Sequence, residues 1–134
     1  MRLDDSRVQK FLASKQTVVL ATVQADGAPL AMAMWLLNDP GTLTMISEAE
    51  TQKVRNLRRD PRVSVVAEAT EPIRGVAVQG RAEFLDDGPE RRALIDRFHA
   101  KYPDLAGFWK GRAMPANRVM FRIVPASVRA WGLE

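Results

Sequence analysis

Two apolar runs joined by a turn signal constrain this chain more than anything else in it. Thr17–Val23 (TVVLATV) is β-branched and almost wholly apolar, and Pro29–Leu37 (PLAMAMWLL) follows it across Asp26-Gly27. Asp-Gly between apolar runs is the strongest short-range hairpin signal, because the turn needs residues that tolerate positive φ. Such a hairpin near the start points to an antiparallel sheet. Thr17–Val23 reads as a strand buried on both faces.

The rest of the sequence keeps the pattern. Asn38-Asp39-Pro40-Gly41 is a second turn, followed by a strand at Thr42–Ile46. Arg62–Ala69 is a further strand, and Gly75–Leu85 alternates, with Val76, Val78, Gly80, Ala82 and Phe84 on one face. Arg118–Val124 alternates again, and Ser127–Trp131 reads as a last short strand. Between them lie short helices. Asp4, Asp5 and Ser6 are N-cap candidates for a helix to about Ala13, with Val8, Phe11 and Leu12 at helical spacing. Ser47 and Glu50 fit a capping box, with Thr51 as an alternative cap, for a helix that Asp60-Pro61 ends. Asp86–Pro89 opens another through about Ala100, and Tyr102–Pro115 is an irregular or short helical connection. The fold class expected is mainly β: a small closed antiparallel barrel of six or seven strands with short flanking helices, one domain over residues 1–134.

That length and an apolar content of 46% suffice for one core without staples. The absence of cysteine excludes disulfides, thiolate metal sites and thiol nucleophiles. A single histidine, His99, excludes a multi-His metal site, so no metal is expected. No apolar run reaches the ~20 residues of a membrane helix, and the start has no signal-peptide core, so a cytoplasmic protein without membrane attachment is expected. Met32, Met34, Trp35, Leu36 and Leu37 cannot all face the interior of a small barrel. An apolar outer face implies a partner surface, here a two-fold homodimer.

No catalytic apparatus is visible. Gly-x-Ser-x-Gly, P-loop and Gly-x-Gly-x-x-Gly patterns are missing, His99 reads as packing or surface, and the acid pairs sit at helix starts. Any redox or transfer chemistry would come from a cofactor. The informative segment is basic. The net charge is only +4, yet Lys53, Arg55, Arg58, Arg59 and Arg62 fall within a short stretch holding one acid, Asp60. A cation near a helix start opposes the dipole, by about 0.3–1 kcal/mol when exposed. An anion bound there reverses the sign, with free amides, Lys53 and the hydroxyls of Ser47 and Thr51 as donors. Arg55, Arg58 and Arg59 offer a face for a second anionic group, or a merely solvated one. Trp35, Trp109 and Trp131 are candidates for stacking on a ring cofactor or for core packing. No aromatic lies between Lys53 and Arg62, which argues against nucleic acid.

At these residues the chain resembles a known family. Leu20–Ala69 is similar to the FMN-binding split-barrel superfamily of pyridoxamine phosphate oxidase-like proteins, and KVRNLRRDPRV (Lys53–Val63) to its flavin/deazaflavin oxidoreductase branch. GRAEFLDD (Gly80–Asp87) and Arg118–Gly132 extend the resemblance over nearly the whole chain. It implies a six-stranded split barrel, a homodimer and a cofactor in each cleft between subunits. Ile46, Ser47, Thr51, Gln52 and Lys53 would line the phosphate corner, with Met32–Trp35 along the ring. Gln79, Arg81 and Trp131 would approach from the partner, while Arg55, Arg58 and Arg59 would meet the cofactor tail or pair with carboxylates. The chain lacks the C-terminal Arg-x-His of the vitamin B6 oxidases, so their substrate is not implied. The expected activity is hydride transfer to a small electron-poor organic substrate using coenzyme F420, whose acidic tail suits a long basic run. FMN is the alternative cofactor, and a non-catalytic flavin- or tetrapyrrole-binding protein the alternative role.

Overall fold

The computed structural model describes residues 1–134. The Asp26-Gly27 signal is realised as a tight loop. Gln24 N–H donates to the Ala28 carbonyl and Gly27 N–H to the Gln24 carbonyl, both at 2.9 Å. Gly27 sits at φ 89°, where a side chain would be strained. The loop joins β1 (Val18–Val23) to β2 (Pro29–Met34), with Val18 opposite Met34 and Leu20 opposite Met32. Beyond them lie β3 (Leu37–Asn38), β4 (Leu43–Glu48), β5 (Arg62–Thr70), β6 (Ile73–Leu85) and β7 (Arg118–Trp131). The helices are α1 (Ser6–Ala13), α2 (Gln52–Arg59), α3 (Pro89–Lys101) and α4 (Leu105–Trp109).

The strands form one sheet in the order β2-β1-β5-β6-β7-β4-β3, every neighbouring pair antiparallel. Its two edges, β2 and β3, are separated in sequence only by Trp35 and Leu36. A chain spans at most about 3.5 Å per residue, so the sheet must curl until its edges almost meet. The product is a split barrel, as the resemblance implies, with its seam at Trp35–Leu36, rather than the closed barrel that the turn pattern alone suggests. It has seven strands, within the six or seven that the turns suggest and one more than the resemblance implies, with Pro29–Leu37 broken into two at that seam. There Leu36 N–H donates to Tyr102 Oη at 3.0 Å, and the Leu36 carbonyl accepts from Lys101 Nζ at 3.0 Å. Side chains of α3 and its C-cap thus replace the ladder partners that Leu36 lacks.

Two further expectations change. Arg118–Val124 and Ser127–Trp131 are one strand, and an irregularity at Gln79/Gly80 absorbs Ala126. Thr17–Val23 is not buried on both faces: Val18 and Leu20 point inward, while Val19 is 40% exposed.

The barrel interior is filled by Leu20, Leu43, Met45, Val65, Val78, Phe121 and Ile123, with Val8, Phe11 and Leu12 of α1 packed against them. A second cluster, Leu37, Leu94, Phe98, Tyr102, Leu105 and Met120, lies beneath α3 and α4. Alternation along β7 therefore feeds both cores, Phe121 inward and Met120 outward. Leu36 and Leu37 are accordingly covered by the chain itself. Elsewhere the outer face stays open and apolar: Val19 pairs with Val66 (39% exposed), Ala33 with Val19, and Ala77 with Val66. No helix is long and apolar enough to cross a membrane.

Candidate functional site

The segment from β4 into α2 turns a strand end toward a helix start. The helix begins after Thr51, so the Ser47–Glu50 capping box does not form; Ser47 is a ladder residue opposite Val119. Thr51 does not cap either. Its hydroxyl and that of Ser47 both donate to the Glu48 carbonyl, at 3.2 and 3.1 Å. The first-turn amides of α2 are left without a side-chain cap, at the positive end of the helix dipole.

The seating of this helix is fixed from beneath. Val54 and Leu57 are buried, and Asn56, also fully buried, donates from Nδ2 to Thr22 Oγ1 on β1 at 3.0 Å. Gln52 Nε2 donates to Asn56 Oδ1 at 2.8 Å, tying the first residue of α2 to the same anchor. Lys53, beside it, takes part in none of the chain's ion pairs. Burial pushes its pKa down, with partial opposition from the Glu48 charge. An unpaired, half-buried ammonium beside uncapped amides is an anion-binding arrangement.

Lys53 opens into a cleft of about 340 Å³ between the seam, β4, α2 and α4. Ser47, Glu48, Thr51, Lys53 and Arg118 line its polar end, and Ala33, Met34, Trp35, Ile46, Phe98, Leu105 and Trp109 its apolar end. Arg118 stands opposite Glu48 in the β4–β7 ladder, with 3.7 Å between Nη2 and Oε1, and its Nη1 donates to Asn117 Oδ1 at 2.7 Å. Trp35 is backed by Tyr102 in a parallel stack.

The cleft thus gathers Met34, Trp35, Ile46, Ser47, Thr51 and Lys53 from the residues the sequence singles out. Met32 lies on β2, 42% exposed, and Gln52 is spent on Asn56. The basic run does not make one patch. Arg55 donates to Gln52 Oε1 at 3.1 Å, Arg58 lies over the Phe84 ring at 4.1 Å, and Arg59 donates to the Val23 carbonyl. Arg62 binds Asp60 at 2.7 Å, and this hydrogen bonding holds the Asp60 carboxyl at about 2. Gln79 and Arg81 line a separate, wider groove of about 700 Å³ on the outer face, with Arg62 and Ser64. Trp131 packs its indole across Gly75, where any Cβ would collide with the ring.

His99 is a packing residue: its Nε2 bonds the Arg112 carbonyl at 2.8 Å and its ring meets Trp109 edge-on. Arg97, which with His99 makes an Arg-x-His, pairs with Asp39 at 2.9 Å. The sequence reading misses Glu48, Arg118, Phe98 and Leu105 as site residues. Arg118 heads the alternating run RVMFRIV, so a derived β4–β7 register would have set it opposite Glu48.

Comparison with known proteins agrees with this architecture. The family model described as pyridoxamine 5'-phosphate oxidase matches residues 5–132, and the chain belongs to that family. A conserved hypothetical protein from Mycobacterium tuberculosis is 31% identical, covering 95% of this chain and 83% of that one, with a TM-score of 0.77. A Listeria innocua protein assigned as a pyridoxamine 5'-phosphate oxidase is 27% identical over 97% of this chain and 98% of that one, TM-score 0.76. An F420 reductase is 26% identical over 90% of this chain and 94% of that one, TM-score 0.69.

Proposed function

We propose that this chain is an oxidoreductase that binds a phosphorylated tricyclic cofactor, coenzyme F420 in preference to FMN, in the Lys53 cleft of a homodimer. One observation carries the reading: the cleft joins an unpaired lysine at an uncapped helix start to an apolar, aromatic wall. The residues present fit such a cofactor. The Lys53 ammonium and the first-turn amides of α2 suit its phosphate, with the hydroxyls of Ser47 and Thr51 as further donors once turned from the Glu48 carbonyl, and Met34 and Trp35 suit the planar ring. Likeness to an F420 reductase supports the deazaflavin. The basic run supports it less than the sequence suggests, because Arg58, Arg59 and Arg62 are engaged within the chain.

A second copy completes the site. The open face of Val19, Ala33, Val66 and Ala77 suits it, and Gln79 and Arg81 of the adjoining groove, with Trp131 further along the sheet, would approach the partner's cleft. When bound, the cofactor supplies the hydride chemistry for a small electron-poor organic substrate. The protein's part is orientation and exclusion of water. Fluorescence titration with F420, FMN in parallel, tests the reading. Micromolar or tighter F420 binding with FMN weaker supports it, FMN preference moves it to the flavin alternative, and binding of neither removes it. Tight binding without electron transfer to any acceptor would make the chain a cofactor-binding protein.

A further inference from the structure

We propose that Glu48 is a specificity-determining residue that tunes the anion corner to a singly charged phosphodiester and against a doubly charged phosphomonoester; this rests on the cofactor reading above. The charged side chains lining the cleft are Lys53, Arg118 and Glu48. Their formal sum is one positive charge, not the two that Lys53 and Arg118 would give alone. Glu48 faces Arg118 across the ladder, yet their charged atoms stay 3.7 Å apart, and the Glu48 side chain is 66% exposed. So open an ion pair contributes little to stability, and Arg118 already has a close partner in Asn117. The ion pair with Arg118 therefore does not account for a carboxylate at the mouth of an anion site, where its charge also partly sustains the Lys53 ammonium.

Electrostatics accounts for it. A phosphomonoester has a second pKa near about 6 and carries close to two negative charges at neutral pH. A phosphodiester carries one. The Glu48 carboxylate therefore repels the two charges of a monoester about twice as strongly as the one of a diester, while Lys53, Arg118 and the positive start of α2 attract both. F420 is joined to its tail through a phosphodiester, whereas FMN ends in a monoester. Carboxylates of the F420 tail feel Glu48 less the further they stand from the phosphate, because salt screens exposed charges over about 8–10 Å.

The test is the E48Q variant, near-isosteric and mostly exposed, with FMN and F420 dissociation constants measured beside wild type at low and at physiological salt. The expected result is FMN binding tightened about three- to tenfold and F420 binding tightened less, so that the affinity ratio moves toward FMN. The shift should shrink as salt rises. Equal changes for the two cofactors, or none, overturn the role of Glu48 while leaving the cofactor reading intact. Failure of wild type to bind either cofactor overturns both.

Discussion

The indole of Trp35 and the phenol ring of Tyr102 lie parallel, 4.2 Å between centroids and 1° between planes. The stack stands at the seam of the barrel, where Tyr102 Oη accepts from Leu36 N–H at 3.0 Å and donates to the Gln16 carbonyl at 2.6 Å. One side chain thus satisfies the backbone of the break and backs the aromatic wall of the cleft. Tyr102→Phe keeps the ring and orphans the buried Leu36 amide, at an expected cost of about 1–3 kcal/mol in urea unfolding. Tyr102→Leu forfeits in addition the aromatic pair, worth about 0.5–1.5 kcal/mol, and should raise acrylamide quenching of Trp35 in a Trp109→Phe, Trp131→Phe background. Equal stability of the two variants would show that the stack contributes nothing.

Asn56→Ala removes the bond to Thr22 and leaves Gln52 without its acceptor. Because the site is fully buried, the expected loss is about 1–3 kcal/mol. Cofactor affinity should fall beyond what the unfolded fraction explains, since Asn56 seats the first turn of α2. Thermal melts and titrations on the same sample separate the two effects.

Lys53→Ala should weaken F420 or FMN binding by about tenfold or more, near 1.4 kcal/mol, with no loss of melting temperature. Burial holds the Lys53 pKa below its ordinary 10.5. In wild type, affinity should therefore decline on the alkaline side sooner than for an exposed lysine, and the alanine variant should lack that limb. In the free protein the sign is opposite: the charged form is disfavoured on folding, so stability rises as Lys53 loses its proton. Unchanged affinity would remove Lys53 from the site.

The hydrogen-bonded carboxyls of Asp5 and Asp60, with Arg7 and Arg62, titrate at about 2, below the ordinary 3.8. A depressed carboxyl stabilises the fold fully above its unfolded pKa and ceases to as pH falls through the folded one. The loss from these groups should fall between about pH 4 and 2. Asp5→Asn with Asp60→Asn should flatten the stability profile in that window and nowhere else.

Val66→Lys places a charge on the open apolar face, opposite Val19. If that face joins two copies, light scattering should drop from about twice to about 15.0 kDa, and cofactor affinity should fall with it. A wild-type mass near 15.0 kDa at micromolar concentration would refute the dimer.

Local signals and distant pairings divide the legibility of this protein. The Asp26-Gly27 loop, the end of α2 at Asp60-Pro61 and the alternation of β6 rest on neighbours in sequence and form where expected. Ser47 failed as a cap because ladder pairing with Val119 claimed it, a residue more than seventy positions away. Arg58 and Arg59 looked available for an anion because nothing local opposes that; Phe84 and the Val23 carbonyl, brought in by folding, use them.

Composition and turn chemistry by themselves determined an antiparallel sheet with short helices, because propensity, periodicity and residue inventory act within a few positions. Tertiary structure alone decided where the barrel splits, which single cation of five stands unpaired in the cleft, and that Glu48 and Arg118 face each other across its mouth. Those outcomes depend on the register of strands far apart in the chain, and a one-residue slip in that register would exchange every inward side chain for an outward one.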